Sequence, residues 1–339
     1  MQKSVCVIGG TGVMGKFLVE KLLSRGVRVD AATLDDVKSE NAALRYYRQN
    51  FMDLRTLKQF LSGRHYDAIV DFMTYSTAQL AERFELLLKS CGQYMFLSSY
   101  RVYADAELPT REASPRILDI TQDRELLQSD DYTVSKARQE NIIRSSHFQN
   151  WTIVRPSITY SPRRTAFITL ELPLLLRRAK KHQPVFIPAE ALHVSATCTW
   201  AGDVAELMAR LLFQKQALGE CYSLCTAEHH TWGEIAQMYE KFLDVQFVPV
   251  PAQDYLSFFE NSLSARVQLR YDRLMQREMD NRKVLLAAGM QQADFTPLAE
   301  GLSRVLAALP ESPGFPEAFQ LWHVDAAMDA YAAAHPALI

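Results

Sequence analysis

The sequence predicts an α/β protein with a doubly wound parallel sheet and a smaller α/β C-terminal lobe. Three observations carry this expectation. Short β-rich runs alternate with amphipathic helical segments through the first half of the chain. A glycine cluster separates the first such run from the first helix. Beyond residue 160 the strict alternation gives way to a more helical pattern. Strands interleaved with helices build parallel sheets with right-handed crossovers.

The predicted strands of the first half are Ser4–Ile8, Val27–Ala32, Ala68–Phe72, Tyr94–Ser98 and Thr152–Val154. Ala68–Phe72 has a continuous apolar centre, as an interior strand covered on both faces requires. The predicted helices are Lys16–Ser24, Leu54–Leu61, Leu80–Cys91 and Ser135–Ser145. In the first, Phe17, Leu18, Leu22 and Leu23 recur at helical spacing, with charge on the other side. After Ser161 the pattern predicts a helix over Phe167–Lys181 and strands near Val185–Ile187 and Thr197–Trp200. A helix over Asp203–Leu212, a strand over Cys221–Leu224 and a helix over Thr231–Phe242 follow, then mostly helix to Leu309. Two close prolines precede an Ala-rich segment, Phe319–Ala333, that reads as one more helix. The expected organisation is residues 1–160 as a nucleotide-binding domain, 161–309 as the main part of a second lobe, and 310–339 as an extension. Some of the later chain is expected to return to the first domain.

Composition narrows the classes of function. The 339 residues carry 37 basic and 39 acidic side chains, without a long Lys/Arg run. That balance argues against a nucleic-acid partner, which usually meets a basic face. No apolar stretch reaches the length a membrane span needs. The N-terminal strand passes too quickly into glycines to act as a signal peptide. Five scattered cysteines (6, 91, 198, 221, 225) lack the spacing of a metal site, so none is expected. A reduced, cytoplasmic protein is the expectation.

The glycines supply the first chemistry. Gly9, Gly12 and Gly15 follow a β-rich run and open a helix. The first permits a tight turn, the second lets a pyrophosphate approach the backbone, and the third lets helix and strand pack closely. The helix N-terminus directs free N–H groups at that phosphate. This is the arrangement of a Rossmann-type domain. The tip of the second strand then falls near Thr33, where an acid would read a free ribose 2′-hydroxyl and an arginine a 2′-phosphate. Thr33 is neither, and Asp35 is close, so NAD and NADP both stay open. Asp53 either accepts from the adenine amino group or caps the helix beginning at Leu54.

A second constellation lies downstream. Tyr132 and Lys136 are four apart and share a helix face. A nearby ammonium stabilises phenolate, which would let Tyr132 exchange protons with a sugar or alcohol hydroxyl. Upstream, Tyr94–Ser98 runs out into Ser98 and Ser99, at the carboxyl edge where open α/β sheets bind ligands. A serine there either holds a substrate oxygen or simply forms a turn. His229-His230 and the basic run Arg177–His182 have plainer readings. The pair faces solvent, and the run complements a helix dipole. Arg155, before Pro156, reads as structural.

The glycine turn, Ser98-Ser99-x-x-Val102-Tyr103 and Tyr132-x-x-x-Lys136 together resemble the extended short-chain dehydrogenase/reductases of the NAD-dependent epimerase/dehydratase type. The likeness continues through Leu108–Glu112, Val154-Arg155-Pro156, Tyr160–Arg163, Ala201–Val204, Tyr222–Leu224 and Asp280–Lys283 with Gly289. It implies Ser99, Tyr132 and Lys136 as the catalytic set. It also implies cofactor contacts from Gly9, Gly12, Val13, Met14, Gly15, Thr33, Asp53, Leu54, Tyr132, Lys136 and Pro156. Tyr100 and Arg270 would meet substrate, although a solvated helix arginine explains Arg270 equally well. Ala104 and Ser161 stand where glycine is usual, and Ala196 where such epimerases tend to place a phosphate-gripping arginine. Tyr100-Arg101 replaces the Asp-Glu of the 4,6-dehydratases, which disfavours loss of water by β-elimination. The resemblance therefore implies a nucleotide-sugar epimerase acting through a keto-sugar with bound NAD or NADP. A reductase of a keto-sugar or other carbonyl is the alternative, and a non-catalytic cofactor-binding protein a third. A homodimer is implied on the same ground.

Overall fold

The computed structural model describes residues 2–309 and 320–338. Seven parallel strands form the central sheet: β1 (Ser4–Ile8), β2 (Arg28–Thr33), β3 (Leu44–Arg48), β4 (Ala68–Asp71), β5 (Tyr94–Leu97), β6 (Trp151–Pro156) and β7 (Glu220–Leu224). Their spatial order is β3-β2-β1-β4-β5-β6-β7. The order reverses between β1 and β4, which opens a crevice beyond their carboxyl ends. Strands β1, β4, β5 and β6 are buried along their whole length, so their apolar runs need no alternation. The edge strand β3 alternates between half-buried and exposed residues and carries two arginines. Its apolar pattern is the weakest of the seven, and sequence periodicity does not reveal it.

Helices cover both faces. On one, α1 (Val13–Ser24) presents Leu18 and Leu22 to Val204, Leu207 and Met208 of a helix from the second half, Ala201–Leu211. On the other, α2 (Leu54–Leu61), α3 (Thr77–Ala81), α4 (Phe84–Lys89) and α5 (Tyr132–Arg144) bury Leu57, Phe60, Leu80, Leu87 and Ile143. The single helix expected over Leu80–Cys91 is therefore two. A capping box between Ser76 and Gln79 starts α3 early. Arg83 then leaves helical geometry at φ −126° and turns inward. It donates to the carbonyls of Phe51 and Met52 and lies over the Tyr75 ring.

The second half of the chain adds β7 to the sheet, paired with β6 at Tyr222 and Val154, and builds a separate apolar body. There Val185–Pro188 pairs in parallel with Phe247–Val250, a strand absent from the predicted helical remainder. Phe167 packs edge-on against Trp232 and Tyr239. The helix expected from Phe167 begins at Leu172 as α6 (Leu172–Lys180), because Ala166–Phe167 and Leu170–Glu171 pair as a hairpin with Ile168 at φ +53°. Trp232–Phe242 starts with a capping box from Thr231 to Glu234, close to the predicted bound.

The C-terminal helix Trp322–Ala334 docks on this body; Phe319, where a helix was expected to begin, lies outside the described residues. Tyr331 packs on Phe186 and Phe258. The basic run on α6 does more than complement a dipole. Arg177 and Arg178 each reach Asp325 at 2.7 Å, and Lys181 reaches it at 3.2 Å. Arg178 is buried; its Nε donates to the Pro184 carbonyl, and its Nη1 is shared between Asp325 and Asp329. Removing the carboxylate leaves a buried guanidinium with less compensating charge. Asp325→Asn is expected to cost about 3 kcal/mol, read as a lower urea midpoint.

Candidate active site

The glycine turn sits at the switch point. Gly9 follows β1 at φ +85°, a conformation that favours glycine, and its carbonyl accepts from the Gly12 amide at 3.0 Å. The third glycine is required by contact. A Cβ on Gly15 would lie 2.2 Å from the Gly9 carbonyl oxygen. Helix α1 therefore starts directly against the turn, with its first amides pointing outward. Beyond them lies a cavity of about 340 Å³ lined by the turn, the tips of β2 and β4, and Gln49–Phe51. Thr33 lines it, with its hydroxyl 2.6 Å from that of Thr11 and accepting from the Asp35 amide.

Asp53 does not line this cavity. Its carboxylate caps α2, accepting from the Arg55 amide at 3.0 Å and the Thr56 hydroxyl at 2.8 Å. Leu54 opens that helix and is likewise outside the lining. The short side chain of Asp53 is used locally because the free amides of α2 are its nearest donors.

A second, smaller cavity of about 170 Å³ shares Val13 and Met14 with the first. Its other walls are Leu97, Ser98, Ser99, Tyr132, Pro156, Ser157, Thr159 and Arg164. The structure thus brings Ser99, Tyr132 and Pro156 to one place beside the glycine turn. Tyr132 begins α5 directly after Asp131, whose carboxylate caps the helix. Ser99 caps a short turn, Tyr100–Val102, lines the same cavity as Tyr132, and acts to lower the pKa of its phenol. The adjacent serine has another partner. Ser98 donates to Glu140 at 2.6 Å.

Lys136 is buried below Tyr132, with Nζ donating to the Leu97 carbonyl at 2.8 Å and lying 5.7 Å from the Tyr132 ring centre. Burial pushes its pKa down to about 8, against the pull of Asp71 and Glu140. Burial pushes the Tyr132 phenol up, and the cation that most offsets this is Arg101 rather than Lys136. The i, i+4 spacing does bring Lys136 to the same face as Tyr132. Tertiary packing then turns its ammonium to the end of β5.

Spacing arguments missed several residues that hold this site. Glu140, one further turn along α5, receives Arg155 through two bonds of 2.7 and 2.6 Å, as well as Ser98. Arg155 is structural, as expected. The periodic signal for Glu140 was present, since 132, 136 and 140 share a face. Arg101 lies with its guanidinium 5.2 Å from the Tyr132 ring centre. Arg163 donates to the Thr11 carbonyl at 2.6 Å, joining the second half of the chain to the glycine turn.

Two expected substrate contacts stand elsewhere. Tyr100 is buried, and its hydroxyl donates to Asp272 and accepts from Arg273 at 2.8 Å. Arg270 is exposed, stacked on Tyr271 and 3.8 Å from Asp123. It follows Leu269 in a wide turn closed by the Leu274 amide on the Leu269 carbonyl, and this turn directs Asp272 and Arg273 inward instead. His230 pairs with Glu228 at 2.8 Å, and His229 lies against the Ala227 carbonyl. The cysteines are buried and unpaired. No helix among the described residues is long and apolar enough to cross a membrane.

Comparison with known proteins decides the family. The model of the NAD dependent epimerase/dehydratase family matches residues 5–225, well over half of the chain. The chain belongs to that family. No curated protein matches the sequence. Among solved structures, the chain is similar to the epimerase Mth375 of Methanothermobacter thermautotrophicus. Identity there is 17%, with 90% of this chain and 91% of that one covered, at a TM-score of 0.69. It is also similar to UDP-glucose 4-epimerase of Thermus thermophilus, solved with NAD, at 19% identity, 90% and 98% coverage and a TM-score of 0.64. A third is MoeE5, in complex with UDP-glucuronic acid and NAD, at 17% identity, 90% and 98% coverage and a TM-score of 0.66. At these identities the likeness is one of fold.

The residues present fit the family's NAD. The turn is open where a Cβ would intrude, the first amides of α1 face the cavity, and no basic side chain lines the Thr33–Asp35 end among the described residues. A 2′-phosphate would call for such a base. The glycines separate fold from binding. Gly15→Ala is expected to lose about 3 kcal/mol of stability through its backbone clash, measured by thermal melting. Gly12→Ala places its Cβ 3.2 Å from the Gly9 oxygen, a contact that can relax. It is expected to melt near wild type while raising the Kd for NAD about tenfold in a calorimetric titration.

Proposed function

We propose that the protein is a nucleotide-sugar epimerase that inverts a carbinol centre through a transient keto-sugar. The observation that carries this reading is that Tyr132 and Ser99 line one cavity, which shares Val13 and Met14 with the dinucleotide cradle. When bound, NAD supplies an acceptor for hydride and a donor that returns it. Tyr132 takes the proton of the substrate hydroxyl and gives it back. Ser99 hydrogen-bonds the same oxygen and holds it in line with the phenol. Lys136 spends one N–H on Leu97 and has two more for a ribose hydroxyl. Arg163, on the glycine turn, lies where it adds positive charge beside a pyrophosphate.

The residues after Ser99 support epimerisation over dehydration. Elimination of water needs a general acid beside the tyrosine. Here Tyr100 is bonded to Asp272, and Arg101 is a permanent cation. Two of the structural neighbours are described with sugar nucleotides, one as a UDP-glucose 4-epimerase and one bound to UDP-glucuronic acid. These set the substrate class proposed here.

Tyr132→Phe is expected to lower kcat by about 10²–10⁴-fold with little change in NAD binding. Turnover of a sugar nucleotide without net change in nicotinamide absorbance supports the epimerase. Stoichiometric consumption of NADH or NADPH with a keto substrate would overturn it in favour of a reductase. The lysine gives a pH signature. Its charged form is present below about 8 and lost above it, so kcat/KM is expected to fall through one ionisation near that pH.

A further inference from the structure

Beside Tyr132 lies a cluster with more positive than negative charge. The buried Asp272 carboxylate faces three arginines: Arg273 at 2.9 Å, Arg101 at 3.4 Å and Arg277 at 3.8 Å. Two of them are committed to the fold. Arg273 donates to the Ile168 carbonyl and the Tyr100 hydroxyl, and Arg277 to the Tyr103 and Tyr271 carbonyls. Arg101 differs. Its Nε faces Asp272, its plane lies by the Tyr132 ring, and its side chain is 16% exposed. Among the described residues its two terminal nitrogens have no hydrogen-bond acceptor. The other cation acting on Tyr132, Arg164, is already paired with Glu171 at 2.8 Å.

A nearly buried guanidinium with free terminal donors is arranged to take two oxygens of one anion. We infer that Arg101 binds a carboxylate on the sugar carbon next to the reacting carbinol, so that the substrate is a nucleoside-diphosphate hexuronic acid rather than a neutral hexose. This rests on the sugar-nucleotide reading above. The geometry that supports it is the closeness of the guanidinium to the ring whose hydroxyl meets the reacting oxygen. A neutral hydroxymethyl group offers one acceptor there and no charge, and it leaves the cluster's excess positive charge uncompensated.

The substrate's own diphosphate is the other source of anionic oxygen, and a matched pair of probes separates the two. Both UDP-glucuronic acid and UDP-glucose carry the diphosphate, and only the first carries the carboxylate. The NAD-loaded protein is titrated with each, as wild type, Arg101→Gln and Arg101→Lys. Wild type is expected to bind UDP-glucuronic acid at least about tenfold more tightly than UDP-glucose. Arg101→Gln is expected to bring the two within about threefold by weakening the acid alone, and Arg101→Lys to restore part of the difference. The ratio of two ligands on one variant is insensitive to any loss of folded protein.

Equal binding of the two compounds by wild type would overturn the inference and leave the sugar-nucleotide reading standing. Equal weakening of both in Arg101→Gln would overturn it as well, in favour of a diphosphate contact or a purely structural role. Binding of neither compound by a wild-type protein that still binds NAD would overturn both readings together.

Discussion

The site depends on one buried carboxylate. Glu140 sits on α5 and receives the Arg155 guanidinium from the end of β6, the Ser98 hydroxyl from the end of β5, and Arg116 at 3.2 Å. Burial alone would raise its pKa; Arg155 and Ser98 more than offset this and hold it below the ordinary glutamate range. A charge so placed cannot lose its partners cheaply. It therefore fixes the height and rotation of α5 against two adjacent strand ends. Tyr132 and Lys136 lie on the same helix face, so their positions follow from that anchor.

A second buried carboxylate organises the opposite wall. Asp272, on the wide turn of Leu269–Arg273, gathers Tyr100, Arg273, Arg101 and Arg277. Three guanidiniums hold it below its ordinary range despite its burial. The two carboxylates come from different halves of the chain, and Tyr132 lies between them. Glu140 is matched by its partners and serves rigidity, while the Asp272 cluster keeps positive charge in surplus. That asymmetry distinguishes the wall beside the glycine turn from the wall that carries Arg101. Tyr100 and Arg101 belong to the second wall.

Much of the first domain was legible in the sequence because its determinants are local. The strand Ser4–Ile8 and the helix Leu54–Leu61 were bounded to the residue, and the glycine spacing prescribed the turn. Strand β3 was not, because an edge with arginines on its solvent side carries little apolar period. The break at Arg83 escaped notice because its cause is the carbonyls of Phe51 and Met52, some thirty residues away. Asp53 caps its helix, as one of the two sequence readings had it, since a cap needs only the next few amides. Arg270, the arginine the resemblance implied, is exposed, while Asp272 and Arg273 next to it point inward. A wide turn shifts the register by one residue, and no sequence pattern announces it.

The sequence by itself determined the fold class, the glycine turn and the shared helix face of Tyr132 and Lys136. Each of these follows from spacing along a single helix, turn or strand end. Only the tertiary structure decided which partner Ser98 takes, which cation tempers the Tyr132 phenol, and which arginine is left with donors to offer. Those outcomes depend on how buried charges pair across elements far apart in the chain. Pairing is settled by distance and burial in three dimensions, where Glu140 takes Ser98 and Arg155 and Asp272 takes Tyr100 and Arg273.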